Sequence, residues 1–131
     1  MDSQTYENVV AALHGEAFAH ARYTLFAEAA RKRGDDRLAS MFEEIAAVEL
    51  HEHFAELAEL VDLIGADRDN IRAAIHDEKL EVEAQYPQFA KQARSAGEAA
   101  VAARFEELAE DEREHEKTLE NALERPHPAR R

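Results

Sequence analysis

The sequence consists of two similar halves, and this internal repeat is the feature that most constrains its fold. The segment Phe42-Glu43-Glu44-Ile45-Ala46 recurs 63 positions later as Phe105-Glu106-Glu107-Leu108-Ala109. At the same spacing Gly34 matches Gly97, Tyr23 matches Tyr86 and Phe26 matches Phe89. Repeats of this length are supersecondary units that bury their apolar faces together. We therefore expect two copies of one hairpin.

Both copies are expected to be helical. The chain is rich in Ala, Glu, Leu and Arg and has only four glycines, a composition typical of helices. The apolar periodicity predicts an all-α protein with α1 at about 4–33, α2 at 36–64, α3 at 69–96 and α4 at 98–124. The residues 126–131 that begin with a proline are expected to form a disordered tail.

The helix boundaries follow from local signals. Gly34, Gly65 and Gly97 each follow a periodic segment, as expected for the left-handed residue just past a helix. Ser3 is the predicted N-cap of α1. Asp67 or Asp69 is the predicted N-cap of α3.

The repeat slips by one residue inside α3. Glu16 matches Glu78 at a spacing of 62, whereas Tyr23 matches Tyr86 at 63. One extra residue therefore lies just before Tyr86-Pro87. A helix absorbs such an insertion through a π-bulge or a proline kink, and both are common at functional sites.

Composition excludes several classes of function. The chain of 131 residues has a formal net charge of −13, which argues against nucleic acid as a partner. It contains no cysteine, so it holds no disulfide, thiolate zinc site or iron–sulfur cluster. No apolar run approaches the roughly 20 residues of a membrane span, and the first residues do not resemble a signal peptide. We expect a soluble, cytoplasmic protein without a membrane partner.

Each predicted helix carries one glutamate within its apolar stripe. These residues are Glu16, Glu49, Glu78 and Glu112. Surface exposure is the ordinary interpretation for most glutamates here, but ionised carboxylates in a core cost several kcal/mol unless they are paired or bind metal. A buried metal site is therefore favoured over four solvated side chains.

Glu112 and His115 complete the pattern of a metal-binding bundle. A Glu and a His three residues apart lie on one face of a helix, and this unit recurs in di-iron carboxylate bundles. The corresponding stretch of α2, Glu49-Leu50-His51-Glu52, has a glutamate where the second histidine is expected.

Four segments of the chain together resemble the rubrerythrin family of ferritin-like di-iron proteins. The similarity runs from about residue 7 to 123, through GEAFAHARYTLFAEAARKRG, LASMFEEIAAVE, EKLEVEAQYPQFAKQA and ARFEELAEDEREHEKTLE. The resemblance implies a ferritin-like four-helix bundle that holds two iron ions per site. It also implies the short form of the family, without the rubredoxin domain, so a separate electron-donor protein is expected.

The resemblance also assigns roles to individual residues. It implies that Glu49 and Glu112 bridge the metals, and that Tyr23 and Tyr86 hydrogen-bond to ligand carboxylates. The remaining implied ligands are Glu16, Glu52, Glu78, Glu81 and His115.

One position departs from the family pattern. Family members usually have His where this chain has Glu52, and His53, four residues after Glu49, is the alternative ligand. Glu52 is favoured because it lies in register with His115. An additional carboxylate would make the site harder and more anionic, which permits manganese at one or both positions. Among the other histidines, His14 and His76 are expected on the surface, and only His20, one turn from Glu16, is placed to support the site.

The implied activity is reduction of hydrogen peroxide, or less readily dioxygen, in oxidative-stress defence. Two alternatives remain. The first is a ferroxidase or iron-handling ferritin-like protein, and the second is a metal-free helical scaffold dimer.

The short connection between α2 and α3 bears on assembly. In ferritin-like bundles these two helices run parallel, so their link must return along the bundle. If α2 reaches Ile64, the few residues before Asp69 span only about 17 Å, against a helical rise of about 32 Å. We therefore predict a domain-swapped homodimer. A link unwound over 61–70 is the alternative.

Overall fold

A computed structural model describes residues 1–125, which form helices and short turns without any β-strand. The prediction of an all-α protein with four long helices is confirmed. The predicted disordered tail, residues 126–131, lies outside the described residues. The chain divides into two compact units, and the division falls between Ile64 and Gly65.

The first unit is a hairpin of two helices joined by a tight turn at 33–35. Helix α1 spans Ser3–Lys32. Helix α2 consists of three consecutive segments, the α-helical Asp36–Val48, the π-helical Glu49–Phe54 and the α-helical Ala55–Leu60. The two helices pack along most of their length.

The second unit repeats this arrangement. Helix α3 consists of Asp67–Leu80, a π-helical segment Glu81–Gln85, and Tyr86–Ser95. Helix α4 spans Ala99–Leu123 and is α-helical throughout. The π-segment directly precedes Tyr86-Pro87, so the insertion predicted from the slip in the repeat is confirmed as a π-bulge. The π-segment of α2 was not predicted.

Three of the helices end in the same hydrogen-bonded motif. Past α1, the N–H of Asp35 donates to Ala30 O at 3.0 Å and the N–H of Gly34 donates to Arg31 O at 2.9 Å, with Gly34 at φ 82°. This is the Schellman motif, whose left-handed residue favours glycine. Gly97, at φ 81°, has the same role after α3.

Helix α2 ends in this motif too, but earlier than predicted. Leu63 N–H donates to Ala58 O at 3.0 Å, and the left-handed residue is Asp62 at φ 50°. The prediction that α2 continues to Ile64 was therefore wrong, as was the left-handed role of Gly65. Periodicity failed here because Val61, Leu63 and Ile64 continue the apolar pattern although they lie beyond the end of the helix.

Two predicted caps were also wrong. Asp2, rather than Ser3, caps α1, because its carboxylate accepts the N–H of Thr5 at 3.0 Å. Helix α3 starts after Ala66, which has no capping side chain, and neither Asp67 nor Asp69 is the cap. Instead, Asn70 stabilises the preceding turn by bonding both N–H and C=O of Gly65.

Small side chains and matching aromatic triads hold each hairpin together. In the first unit, Tyr23, Phe26 and Phe42 form a cluster with ring centroids 5.4–6.3 Å apart. In the second unit, Tyr86, Phe89 and Phe105 form the equivalent cluster at 5.4–6.5 Å. The repeat seen in the sequence is thus a repeat of tertiary contacts.

The buried residues are mostly alanines, which allow the paired helices to approach closely. The buried alanines are Ala27, Ala30, Ala39, Ala46 and Ala58 in the first unit, and Ala90, Ala102 and Ala109 in the second. The other buried apolar residues among those described are Val9, Leu13 and Val82. Larger apolar side chains such as Phe18 and Leu25 remain 64% and 62% exposed. None of the helices within residues 1–125 is long and apolar enough to cross a membrane.

Candidate metal centre

The first unit brings two carboxylates and one imidazole together. Glu16 from α1 meets Glu49 and His53 from α2, with a ligand atom of each within 4.8 Å of the others. His53 Nδ1 lies 2.9 Å from Glu49 Oε2 and 3.7 Å from Glu16 Oε2. The Glu49 side chain is only 15% exposed. This group is called the first triad below.

The second unit contains the same arrangement. Glu78 from α3 meets Glu112 and His115 from α4, again with ligand atoms within 4.8 Å. His115 Nδ1 lies 2.5 Å from Glu112 Oε2 and 3.8 Å from Glu78 Oε1. Both carboxylates are about one-fifth exposed. This group is called the second triad.

The π-segment of α2 explains why the two triads use different spacings. A π-turn adds one residue to a helical turn. Four positions after Glu49 in α2 therefore correspond to three positions after Glu112 in the α-helical α4. His53 consequently occupies, within its unit, the place that His115 occupies in the other.

The structure keeps Glu52 apart from the first triad. Glu52 is exposed, and the cluster of possible ligands contains His53 instead. Which of the two binds metal remains a prediction, but the geometry of the first triad favours His53. The sequence itself contains a pattern that indicates His53. Beyond Glu49 the repeat continues at a spacing of 62, which aligns His53 with His115 and Leu57 with Leu119.

Glu81 lies near the second triad without belonging to it. It is half-buried at the start of the α3 π-segment. Burial, followed by the charge of Glu112, raises the pKa of Glu81, while its interaction with Tyr86 acts to lower that pKa. Burial and the neighbouring Glu81 likewise raise the pKa of Tyr86.

Tyr23, the counterpart of Tyr86, keeps the equivalent aromatic neighbour but has a cation beside its ring in addition. Its ring packs on Phe42 and lies 5.4 Å from the guanidinium of Arg22. The first unit has Ala19 at the position that matches Glu81, given the spacing of 62 between Glu16 and Glu78. The extra carboxylate is therefore specific to the second unit.

The protonation of the triads reflects carboxylates held close together. A hydrogen bond to Glu49 raises the pKa of Glu16, while hydrogen bonds with Glu16 and His53 lower the pKa of Glu49.

In the second triad, burial, followed by the proximity of Glu112, raises the pKa of Glu78. Hydrogen bonds to Glu49 and Glu112 raise the pKa of His53 and His115. Each triad thus favours added positive charge.

The residues fit a pair of hard metal ions. Glu78 Oε2 is a buried carboxylate oxygen without a hydrogen-bond partner among residues 1–125. An unpaired buried carboxylate oxygen is costly, and a cation is a partner that removes the cost. Carboxylate and imidazole ligands suit iron and manganese, and the chain offers no thiolate.

One further histidine contacts the region. His20 Nδ1 lies 2.8 Å from the backbone oxygen of Ala46, one turn before the π-segment of α2. The sequence placed His20 near the site through its spacing from Glu16. It could not identify this partner, because Ala46 is 26 residues away. His14 and His76 are exposed, as predicted.

Comparison with known proteins assigns the family. The sequence model of the rubrerythrin family matches residues 7–123. The chain belongs to the rubrerythrin family. The resemblance inferred from the four sequence segments is thereby confirmed.

Two relatives within the rubrerythrin family match most of this chain. A rubrerythrin of Porphyromonas gingivalis is 34% identical over 128 residues, covering 88% of this chain and 64% of the relative. Rubrerythrin-1 of Clostridium acetobutylicum is 35% identical over 137 residues, covering 92% and 70% respectively. The chain therefore spans about two-thirds of these relatives.

A third similarity is local. Nigerythrin of Nitratidesulfovibrio vulgaris is 54% identical over 46 residues, which is 35% of this chain and 23% of that protein.

Proposed function

We propose that this protein binds two iron ions per centre, with manganese possible, and reduces hydrogen peroxide to water using electrons from a separate donor protein. The observation that carries the proposal is the pair of equivalent triads, Glu16–Glu49–His53 and Glu78–Glu112–His115. Membership of the rubrerythrin family supports an oxidoreductase role. The family resemblance supports peroxide as the oxidant.

The proposed ligands divide into bridging and terminal groups. Glu49 and Glu112 are the least exposed carboxylates of their triads, at 15% and 17%, which suits the bridging positions between two ions. The proposed terminal ligands are Glu16, Glu78, Glu81, His115 and His53, with Glu52 as the alternative to His53.

The reaction needs electrons, protons and a preorganised site. When bound, the iron pair supplies the two electrons that convert hydrogen peroxide and two protons into two molecules of water. The protein holds the carboxylates in place before metal arrives, since the triads are formed by side chains on packed helices. Burial and then the charge of the nearby Glu81 raise the pKa of Tyr86, and a tyrosine in this place would orient that carboxylate as partners of metal ligands commonly do.

We also propose that the complete centre forms in a domain-swapped homodimer. From His53 to the end of α2, and from the start of α3 to Glu78, the helical rise totals about 27 Å. The link from Leu60 to Asp67 spans at most about 24 Å, and the turn at Asp62 shortens it further. Joining the triads of one chain in a ferritin-like bundle is therefore difficult, even though α2 ends earlier than predicted.

The function is tested by rapid mixing of the Fe(II) protein with peroxide or dioxygen. We expect iron oxidation to be faster with peroxide, with iron retained and two electrons consumed per peroxide. Faster oxidation by dioxygen followed by iron release would instead indicate the ferroxidase alternative. Fewer than one metal per chain in protein purified without chelator would leave only the scaffold alternative.

A further inference from the structure

We propose that His20 is a positioning residue that fixes the π-segment of α2 and, through it, the placement of Glu49 and His53. The proposal deepens the proposed function where it concerns metal binding. Its structural part, the dependence of the π-segment on His20, concerns the metal-free protein and stands independently.

The contact is a hydrogen bond between the two helices of the first unit. His20 is half-buried on α1, and its Nδ1 lies 2.8 Å from the backbone oxygen of Ala46 on α2. Because a carbonyl oxygen only accepts, Nδ1 must carry the proton. Ala46 is 4% exposed, so solvent has little access to replace this donor.

Ala46 lies one turn before the π-segment of α2, so a bond to its carbonyl acts where the winding of the helix changes. Glu49, the first residue of the π-segment, directs its N–H toward the carbonyls of Ala46 and Ile45. From this point the helix changes from four-residue to five-residue hydrogen bonds, a rare and locally unfavourable pattern. A carbonyl oxygen can accept two hydrogen bonds, so His20 adds a second donor to the oxygen that the Glu49 N–H already approaches. This bond from outside the helix ties α1 to α2 just before the winding changes and so stabilises the π-segment.

The second unit serves as an internal comparison. At the spacing of 62 that relates Glu16 to Glu78, His20 corresponds to Val82, which is 6% exposed and has no donor. The partner helix α4 is α-helical through Glu112 and His115. The first unit thus has both the histidine donor and a π-segment in the helix that supplies its histidine, whereas the corresponding helix of the second unit, α4, has neither. The π-segment of the second unit lies in the other helix, α3.

His20 also lies one turn from Glu16 on α1. The bond to Ala46 therefore fixes the level of α1, which supplies Glu16, against the part of α2 that supplies Glu49 and His53. Without it, we expect α2 to relax toward regular α-helix. His53 would then lose the position that matches His115.

The test compares three variants of the full-length protein. His20→Val introduces the residue of the second unit and removes the donor. His20→Asn retains an amide N–H close to the position of Nδ1. His14→Val removes an exposed histidine from the same helix and is the matched control.

The first measurement is amide hydrogen exchange of residues 47–54 in metal-free protein. We expect exchange to accelerate about 10-fold or more in His20→Val, in proportion to the lost local protection. His20→Asn and His14→Val should stay within about 3-fold of the parent protein. Unchanged exchange in His20→Val, or equal acceleration in His20→Asn, would overturn the proposal.

The second measurement is Co(II) titration followed by its visible absorption. We expect His20→Val to lower the affinity for at least one Co(II) ion by about 10–100-fold, the range typical of groups that orient metal ligands. His20→Asn should restore binding. If the parent protein binds no metal, the proposed function fails, and the exchange measurement still decides the role of His20. If His20→Val does not fold, His20→Asn decides it, because loss of protection in that variant contradicts the proposal.

Discussion

At the scale of single residues, the winding of α2 determines which side chain lies beside Glu49 in the first triad. Read as a regular α-helix, α2 places Glu52 in register with His115. The π-segment adds a residue, and His53 then lies 2.9 Å from Glu49. With Glu52, the expected ligand set has six carboxylates and one imidazole. With His53 in its place, the expected set has one imidazole in each triad.

The first prediction separates these two ligands. We expect His53→Ala to weaken metal binding by at least about 10-fold, because it removes a nitrogen ligand from the first triad. Glu52→Ala, its matched control one position away, should change affinity by less than about 3-fold, because that side chain lies outside the first triad. Isothermal titration with Mn(II) or anaerobic Fe(II) measures both. The opposite order of effects would restore Glu52 as the ligand.

The second prediction concerns the unpaired carboxylate oxygen of Glu78. Replacing Glu78 with Gln removes a partly buried charge near Glu112, so the metal-free variant should be more stable by about 1 kcal/mol. The same change should abolish the stabilisation that added metal gives. Thermal unfolding with and without Mn(II) measures both effects. A metal-free variant less stable than the parent would contradict the view that the charge of Glu78 destabilises the protein when no cation is bound.

At the scale of helices, the periodic segments were predictable and their ends were less so. The equivalence of the two hairpins and the insertion in α3 followed from the repeat, because matching sequences form matching contacts. The end of α2 did not, because Val61 and Leu63 continue the apolar pattern into the turn. The left-handed residue there is Asp62, whereas the equivalent turns after α1 and α3 use Gly34 and Gly97.

The third prediction follows from this difference. An L-residue in the left-handed region carries a conformational cost that glycine avoids. We expect Asp62→Gly to raise the free energy of unfolding by up to about 1 kcal/mol. The reverse change at the equivalent turn, Gly34→Ala, should lower it by about 1 kcal/mol or more. Urea denaturation of both variants measures these values, and destabilisation by Asp62→Gly would show that the Asp62 side chain has another role.

At the scale of the whole molecule, the proposed swapped dimer makes the fourth prediction. One variant carries Glu16→Ala with His53→Ala, and the other carries Glu78→Ala with His115→Ala. Each variant alone should lose both centres of its dimer. In a swapped heterodimer of the two, one centre combines the intact first unit of one chain with the intact second unit of the other.

The measurement is iron content of the heterodimer, isolated by two affinity tags after co-expression. We expect half of the iron of the parent dimer. An arrangement in which each chain builds its own centre predicts none, because every chain then carries a damaged half-site. Size-exclusion chromatography with light scattering provides the control that both variants remain dimeric.

The all-α fold, the duplicated hairpin and the placement of four glutamates in the apolar stripes of helices were predictable from residue order alone. Those features follow from periodicity and from the cost of burying charge, which depend on local residue order. Three features became visible only once the helices were packed: the winding of α2, the grouping of His53 with Glu16 and Glu49, and the bond from His20 to Ala46. These features depend on hydrogen bonds between helices that are far apart in sequence, and a change of one residue per turn is enough to redirect a side chain.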